Sequence, residues 1–99
     1  MLNYDAVCFH AQQLAEKYLK AFLQEHGITI PYTHNLTDLL LLCVPIDASL
    51  MSLDPDLRSL NGYAVRFRYP GQTANRTDAK DAFKAASDIR KLLRQKLGL

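Results

Sequence analysis

Apolar positions recur every three to four residues along four segments of this chain, which is the spacing of an amphipathic helix. The segments cover about 4–25, 36–44, 54–67 and 77–97, and a shorter helical piece is expected over about 47–53. No segment alternates apolar and polar positions over a useful length, so no strand is predicted. The pattern therefore predicts an all-α fold, an antiparallel up-and-down helical bundle.

Residues that cap helices mark the same boundaries. Asn3 or Asp5 can cap the first helix, and Asn35 can cap the second. We expect Thr77 to cap the fourth helix. The buried stripe of that helix is predicted to consist of Ala79, Ala82, Phe83, Ala86, Ile89, Leu93 and Leu97.

Size and composition favour a small globular protein. The chain has 99 residues, of which 48% are hydrophobic and 22% are charged, and we expect one helical domain over 1–99. No apolar run approaches the roughly 20 residues of a membrane-spanning helix, and the N-terminus does not resemble a signal peptide. Cys8 and Cys43 lie in helical patterns without nearby ligand partners. We therefore expect buried thiols, a cytoplasmic location, and no metal or other cofactor.

One face of the first predicted helix carries side chains that can donate to an anion. Five polar residues fall within an arc of about 80° when residues are placed at 100° intervals. A solvated face more usually mixes acidic and basic residues, although a simple solubilising face is the alternative interpretation. The five residues are His10, Gln13, Lys17, Lys20 and Gln24.

Two further clusters could contact a ligand. His34 lies in the turn before the second helix, where it could instead bond backbone groups to hold the turn. Arg66, Arg68 and Tyr69 lie where the third helix ends. Arginine forks fit phosphate and a tyrosine ring can stack on a base, whereas the alternative is that these residues cap and pack the helix end. Residues 51–99 hold ten basic residues against five aspartates, so their charge suits a phosphate-bearing or acidic partner.

Taken in order, three strings resemble the HEPN domain, whose name stands for higher eukaryotes and prokaryotes nucleotide-binding. The resemblance covers essentially the whole chain. It implies a helical bundle, a homodimer, and a partner encoded nearby, a minimal nucleotidyltransferase of a toxin–antitoxin-type pair. Many members of the family are metal-independent endoribonucleases. The strings are Tyr4-Asp5-x-x-x-Phe9-His10-Ala11-Gln12-Gln13-x-x-Glu16-Lys17-x-x-Lys20, Thr33-His34-x-Leu36 and Arg68-Tyr69-Pro70-Gly71.

The chain departs from the family in its first helix. Family members usually carry a helix ahead of the Tyr-Asp string, and this sequence begins three residues before that string. Loss of that helix would uncover apolar surface, at a cost of roughly 25 cal/mol for each Å² left in water. We expect a second subunit, or an upstream segment, to cover the flank that carries Phe9 and Leu23.

The second departure concerns catalysis. Ribonuclease members use an arginine followed a few residues later by a histidine, but here every histidine precedes every arginine. The sequence therefore favours a non-enzymatic role and predicts no catalytic residue. We expect a nucleotide-binding or interaction partner of a nucleotidyltransferase. An endoribonuclease toxin with an unconventional site, or a structural remnant of a longer gene, is the alternative. The predicted nucleotide-binding residues are His10, Gln13, Lys17, Lys20, His34, Arg66, Arg68 and Tyr69.

Overall fold

Helices account for most of the chain in the computed structural model, which describes residues 3–66, 71 and 73–99. The part described contains four α-helices and a short 3-10 helix, and it contains no strand. The predicted all-α helical bundle is confirmed. The α-helices are α1 (Tyr4–Glu25), α2 (Leu36–Cys43), α3 (Asp54–Arg66) and α4 (Arg76–Lys96), and the 3-10 helix covers Ala48–Leu53.

Side-chain caps set the starts of α1 and α2 where the sequence predicts them. The Asn3 side chain accepts a hydrogen bond from the Ala6 amide at 3.1 Å, and the Asn35 side chain accepts from two amides of the first turn of α2. These bonds satisfy amides that have no partner inside the helix. After α1 the chain turns at Gly27, whose φ of +69° is a left-handed conformation that glycine adopts without strain.

The cap of α4 differs from the prediction. Asn75, not Thr77, caps this helix through a reciprocal pair of hydrogen bonds. The Asn75 side chain accepts from the Asp78 amide at 2.8 Å, and the Asp78 carboxylate accepts from the Asn75 amide at 3.0 Å. Both Asn and Thr are good caps, but this arrangement satisfies two amides because a carboxylate stands three residues after the cap.

The helix directions follow from which residues meet. Tyr63 near the end of α3 lies close to Asp78 at the start of α4, whereas Asp56 near the start of α3 lies close to Asp88. Hence α3 runs antiparallel to α4. By contrast, α1 and α4 run in the same direction, since early α1 lies beside the first half of α4 and Tyr18 lies beside Arg94.

The core lies between the four helices and takes side chains from each of them. Leu19, Leu40, Leu60 and Ile89 are examples that have essentially no solvent exposure. Leu23, predicted to lie on an uncovered flank, is also fully buried within the chain. Within the described residues, no helix is long and apolar enough to cross a membrane.

The prediction that Phe83 belongs to the buried stripe of α4 is wrong, because 68% of this residue is exposed. Its predicted companions Ala82, Ile89 and Leu93 are buried. Phe83 stands at the edge of that stripe, where helical periodicity alone does not separate a core position from a surface one.

The cap of α4 gives a test of the fold. Asn75→Ala is expected to lower the free energy of unfolding by about 1 kcal/mol, because the reciprocal capping pair is lost. Thr77→Ala is the matched control. Thr77 is exposed and is not the residue that caps α4, so loss of its side chain should leave the free energy of unfolding nearly unchanged. Urea denaturation followed by circular dichroism measures both, and equal stability of the two variants would contradict the assignment of Asn75.

Candidate functional site

Three of the predicted binding residues come together on the surface of α1. His10, Gln13 and Lys17 line a shallow depression of about 310 Å³ together with Leu14 and Tyr18. His10 and Lys17 are exposed, and Gln13 is half-buried. An imidazole, a carboxamide and an ammonium group therefore face the same solvent-filled space, as the polar stripe predicts.

The cationic side chains of α4 extend this depression. Arg90, Lys91 and Arg94 line an adjoining one of about 550 Å³. The two are linked at Tyr18, whose hydroxyl lies beside Arg94 and Arg90. Hydrogen bonding by Arg94, and the positive charge of both arginines, lower the pKa of the Tyr18 phenol because they favour the phenolate.

These residues form a continuous basic surface across α1 and α4. Among the described residues that line its two depressions there is no aspartate or glutamate. The polar stripe of the sequence predicts the α1 half of this surface. The α4 half has no such signal, because a long-range contact between two helices leaves no local spacing pattern. The basic surface consists of His10, Gln13, Lys17, Tyr18, Arg90, Lys91 and Arg94.

Two other predicted residues are engaged by a carboxylate that the sequence analysis left without a role. Glu16 is buried, and its carboxylate lies 3.1 Å from the Lys20 ammonium and 3.1 Å from Nδ1 of His34. The cost of burying a carboxylate is offset by these partners. Lys20 and His34 therefore serve to hold Glu16 in place. In the sequence, the four-residue spacing of Glu16 and Lys20 is the one signal that indicates this ion pair.

The same contacts attach the segment after α1 to that helix. The Gln12 side chain donates to the backbone carbonyl of His34 at 3.3 Å, and Gln13 donates to the Gln12 side chain at 2.9 Å. The His34 ring is bonded to a carboxylate, and 67% of its side chain remains exposed. His34 was predicted to bond backbone groups, but its ring contacts the Glu16 carboxylate, and the turn is tied to α1 by the side chains of Gln12 and Glu16.

The third predicted cluster lies largely outside the described residues. Arg66 is the last residue of α3, and its side chain is not described. Arg68 and Tyr69 fall in the range 67–70, outside the described residues. Their predicted contacts to phosphate and base stay predictions.

The thiols and acidic groups offer little chemistry in the part of the chain described. No group of three His, Cys, Asp or Glu residues there could hold a metal ion. Cys8 and Cys43 are buried and form no disulfide. Burial raises the pKa of the Cys43 thiol to about 11, so this group is protonated at neutral pH and is a poor nucleophile.

Comparison with known proteins identifies the chain by family. The family model described as the HEPN domain matches residues 1–96, which is nearly the whole chain. No curated protein and no solved structure matches it significantly.

The buried carboxylate can be tested directly. Glu16→Gln is expected to lower the free energy of unfolding by about 1–3 kcal/mol, because a carboxamide loses the ionic hydrogen bonds to Lys20 and His34. Glu25→Gln, at an exposed site near the end of the same helix, is the matched control and should change stability by less than about 0.5 kcal/mol. Urea denaturation measures both variants, and an unchanged midpoint for Glu16→Gln would contradict a structural role for this carboxylate.

Proposed function

We propose that this chain, which belongs to the HEPN domain family, is a non-catalytic member that binds nucleotides on the basic surface of α1 and α4. The observation that carries the proposal is that cationic side chains of both helices meet at Tyr18, with no Asp or Glu side chain among the described residues that line the two depressions. A phosphate entering this surface therefore meets several cationic side chains and no acidic side chain of the described lining.

The residue types suit a phosphate group. Arg90 and Arg94 offer planar forks that can bind phosphate oxygens in pairs, and Lys17 adds a point charge. His10 and Gln13 can donate single hydrogen bonds. The arginines already lie beside the Tyr18 hydroxyl, so part of their ordering cost is met before a ligand binds.

The remaining predicted residues take different parts in the proposal. The end of α3 lies near Asp78, about 18–24 Å along α4 from Arg90 and Arg94, so Arg66 is not part of the basic surface. Phosphate contacts by Arg66 and Arg68, and stacking of Tyr69 on a base, stay separate predictions. Lys20 and His34, which are bonded to Glu16, position α1 and its following turn rather than contact the ligand.

Partnership is the second half of the proposal. We propose a homodimer that acts in the cytoplasm beside a minimal nucleotidyltransferase, as one member of a toxin–antitoxin-type pair. Membership of the HEPN family supports this half.

An endoribonuclease with an unconventional site is the alternative, and one observation favours it. The Glu16 carboxylate contacts Nδ1 of His34, and 67% of the His34 side chain is exposed. A carboxylate bonded to one ring nitrogen is how a histidine that acts as a general base is oriented. The arginine that would complete such a site is not identified by the described contacts.

Nucleotide binding is tested by calorimetric titration with ATP and with GTP. Arg94→Ala is expected to weaken binding at least about tenfold, because a charge-assisted phosphate contact is lost. Lys84→Ala is the matched control: Lys84 is a cation of the same helix, its side chain is 81% exposed, and it pairs with Asp88 rather than with the basic surface.

Flat titrations with both nucleotides would remove the nucleotide-binding half of the proposal. RNA incubated with the purified protein should remain intact. Cleavage that disappears in His34→Ala, with the fold preserved by circular dichroism, would replace the proposal with the endoribonuclease alternative.

Partnership is tested by co-expression with the nucleotidyltransferase of the adjacent gene. Sedimentation is expected to show twice the mass of one chain for the protein alone, and a larger complex when both proteins are present. A monomer, or a locus that encodes no nucleotidyltransferase, would contradict this half of the proposal.

A further inference from the structure

An apolar groove of about 500 Å³ lies between α1 and α4, next to the basic surface. It extends from Ala6 to Leu14 along α1 and from Phe83 to Arg90 along α4. At 1.5 Å per residue this is about 10–12 Å, or two helical turns. Its residues are mostly alanine, valine, leucine and phenylalanine, and the small alanine side chains leave room for a close approach of another backbone.

Phe83 is the main reason to treat the groove as a binding site. A single exposed apolar residue needs no explanation, but Phe83 continues a lined groove that also contains Val7 and Leu14. Phe83 is the aromatic side chain of the lining, and aromatic residues are the side chains that most often anchor protein partners.

Charge is distributed unevenly along the same face. The end of the groove near Phe83 is apolar, and His10 and Arg90 stand further along it. Beyond them, toward the C-terminal ends of both helices, lie Lys17 and Arg94. The described residues that line the groove include no carboxylate. A complementary partner therefore has an apolar part followed, along its axis, by an acidic part.

A second copy of this chain does not fit that description. Two-fold pairing of this face would place its cationic side chains against the same cations of the other copy, or against the other copy's apolar half. In neither case would an Asp or Glu side chain from the described lining of the face neutralise them.

We propose that the groove binds an acidic amphipathic helix of a partner protein. The helix runs antiparallel to α1 and α4, with carboxylates in its first turns against Lys17 and Arg94. Apolar side chains spaced i, i+4 and i+7 then lie against Val7, Leu14 and Phe83. Carboxylates in the first turns also stabilise the partner helix, because its N-terminus carries partial positive charge.

This inference deepens the partner half of the proposed function and rests on that half, whereas it does not require nucleotide binding. The two can fail separately. A nucleotidyltransferase complex that survives blocking of the groove would leave the partnership and remove the helix site. Binding of a helix in the groove, without any complex with a nucleotidyltransferase, would leave the helix site and remove the partnership.

The probe is a fluorescein-labelled synthetic helix of about 16 residues, four to five turns, with glutamates in its first two turns and leucines at the anchor positions. Fluorescence anisotropy should show saturable binding to the full chain, weakened by added salt. A peptide with lysine in place of each glutamate should bind at least about tenfold more weakly.

Variants locate the site on the protein. Phe83→Ala should weaken peptide binding at least about tenfold, and Ser87→Trp, which fills the groove at an exposed position, should do the same. Leu41→Ala removes an apolar side chain of α2 that is 64% exposed, and it should bind like the original protein. Phe83→Ala should leave nucleotide titrations unchanged.

Four results would overturn the proposal. Equal binding of the acidic and lysine peptides, or unchanged binding by both groove variants, would show that the groove does not recognise an acidic helix. A homodimer that dissociates in Phe83→Ala would show that a second copy covers the groove. RNA that displaces the peptide and also binds Phe83→Ala at least about tenfold more weakly would assign the groove to nucleic acid.

Discussion

The packing of α1 along α4 is the constraint on which both candidate sites depend. Because the two helices run in the same direction, the polar stripe of α1 and the arginines of α4 point their charges at the same solvent region. Small residues such as Ala11 and Ala86 line the groove between them, so the helices approach closely without filling that space. With α4 reversed, Phe83 would move to the opposite end of the groove, and cationic and apolar surface would no longer be separated along one axis.

The buried carboxylate of Glu16 separates the polar side chains near α1 into those that hold the fold and those that face solvent. Glu16 is nearly inaccessible to solvent, and a charge in that position is tolerated only with close partners. Lys20 and His34 supply them, so the Lys20 ammonium and Nδ1 of His34 are directed toward Glu16. Lys17, one position after Glu16, faces outward and is exposed. On one side, α1 thus holds the segment that connects it to α2. On the other side, it presents cations to solvent.

Sequence predicted the helices well because their signals are local. The periodic apolar positions and the caps at Asn3 and Asn35 lie within the segments that they define. The errors arose where two local signals compete: Asn75 and Thr77 are both good caps, and Phe83 stands at the edge of the apolar stripe. The α4 half of the basic surface could not be predicted, because it depends on contacts between residues about 75 positions apart in sequence.

The two proposed ligands share part of their binding surface, and this has a consequence for how the protein could act. Arg90 lines both the apolar groove and the basic surface, and Arg94 lies one turn further along α4. A guanidinium fork that binds phosphate oxygens is not available to a partner's carboxylate at the same time. If both proposals hold, nucleotide and partner helix are expected to compete, and by linkage each would lower the affinity of the other by the same factor. A face with this property responds to nucleotide concentration by releasing or holding its partner, without any change in fold.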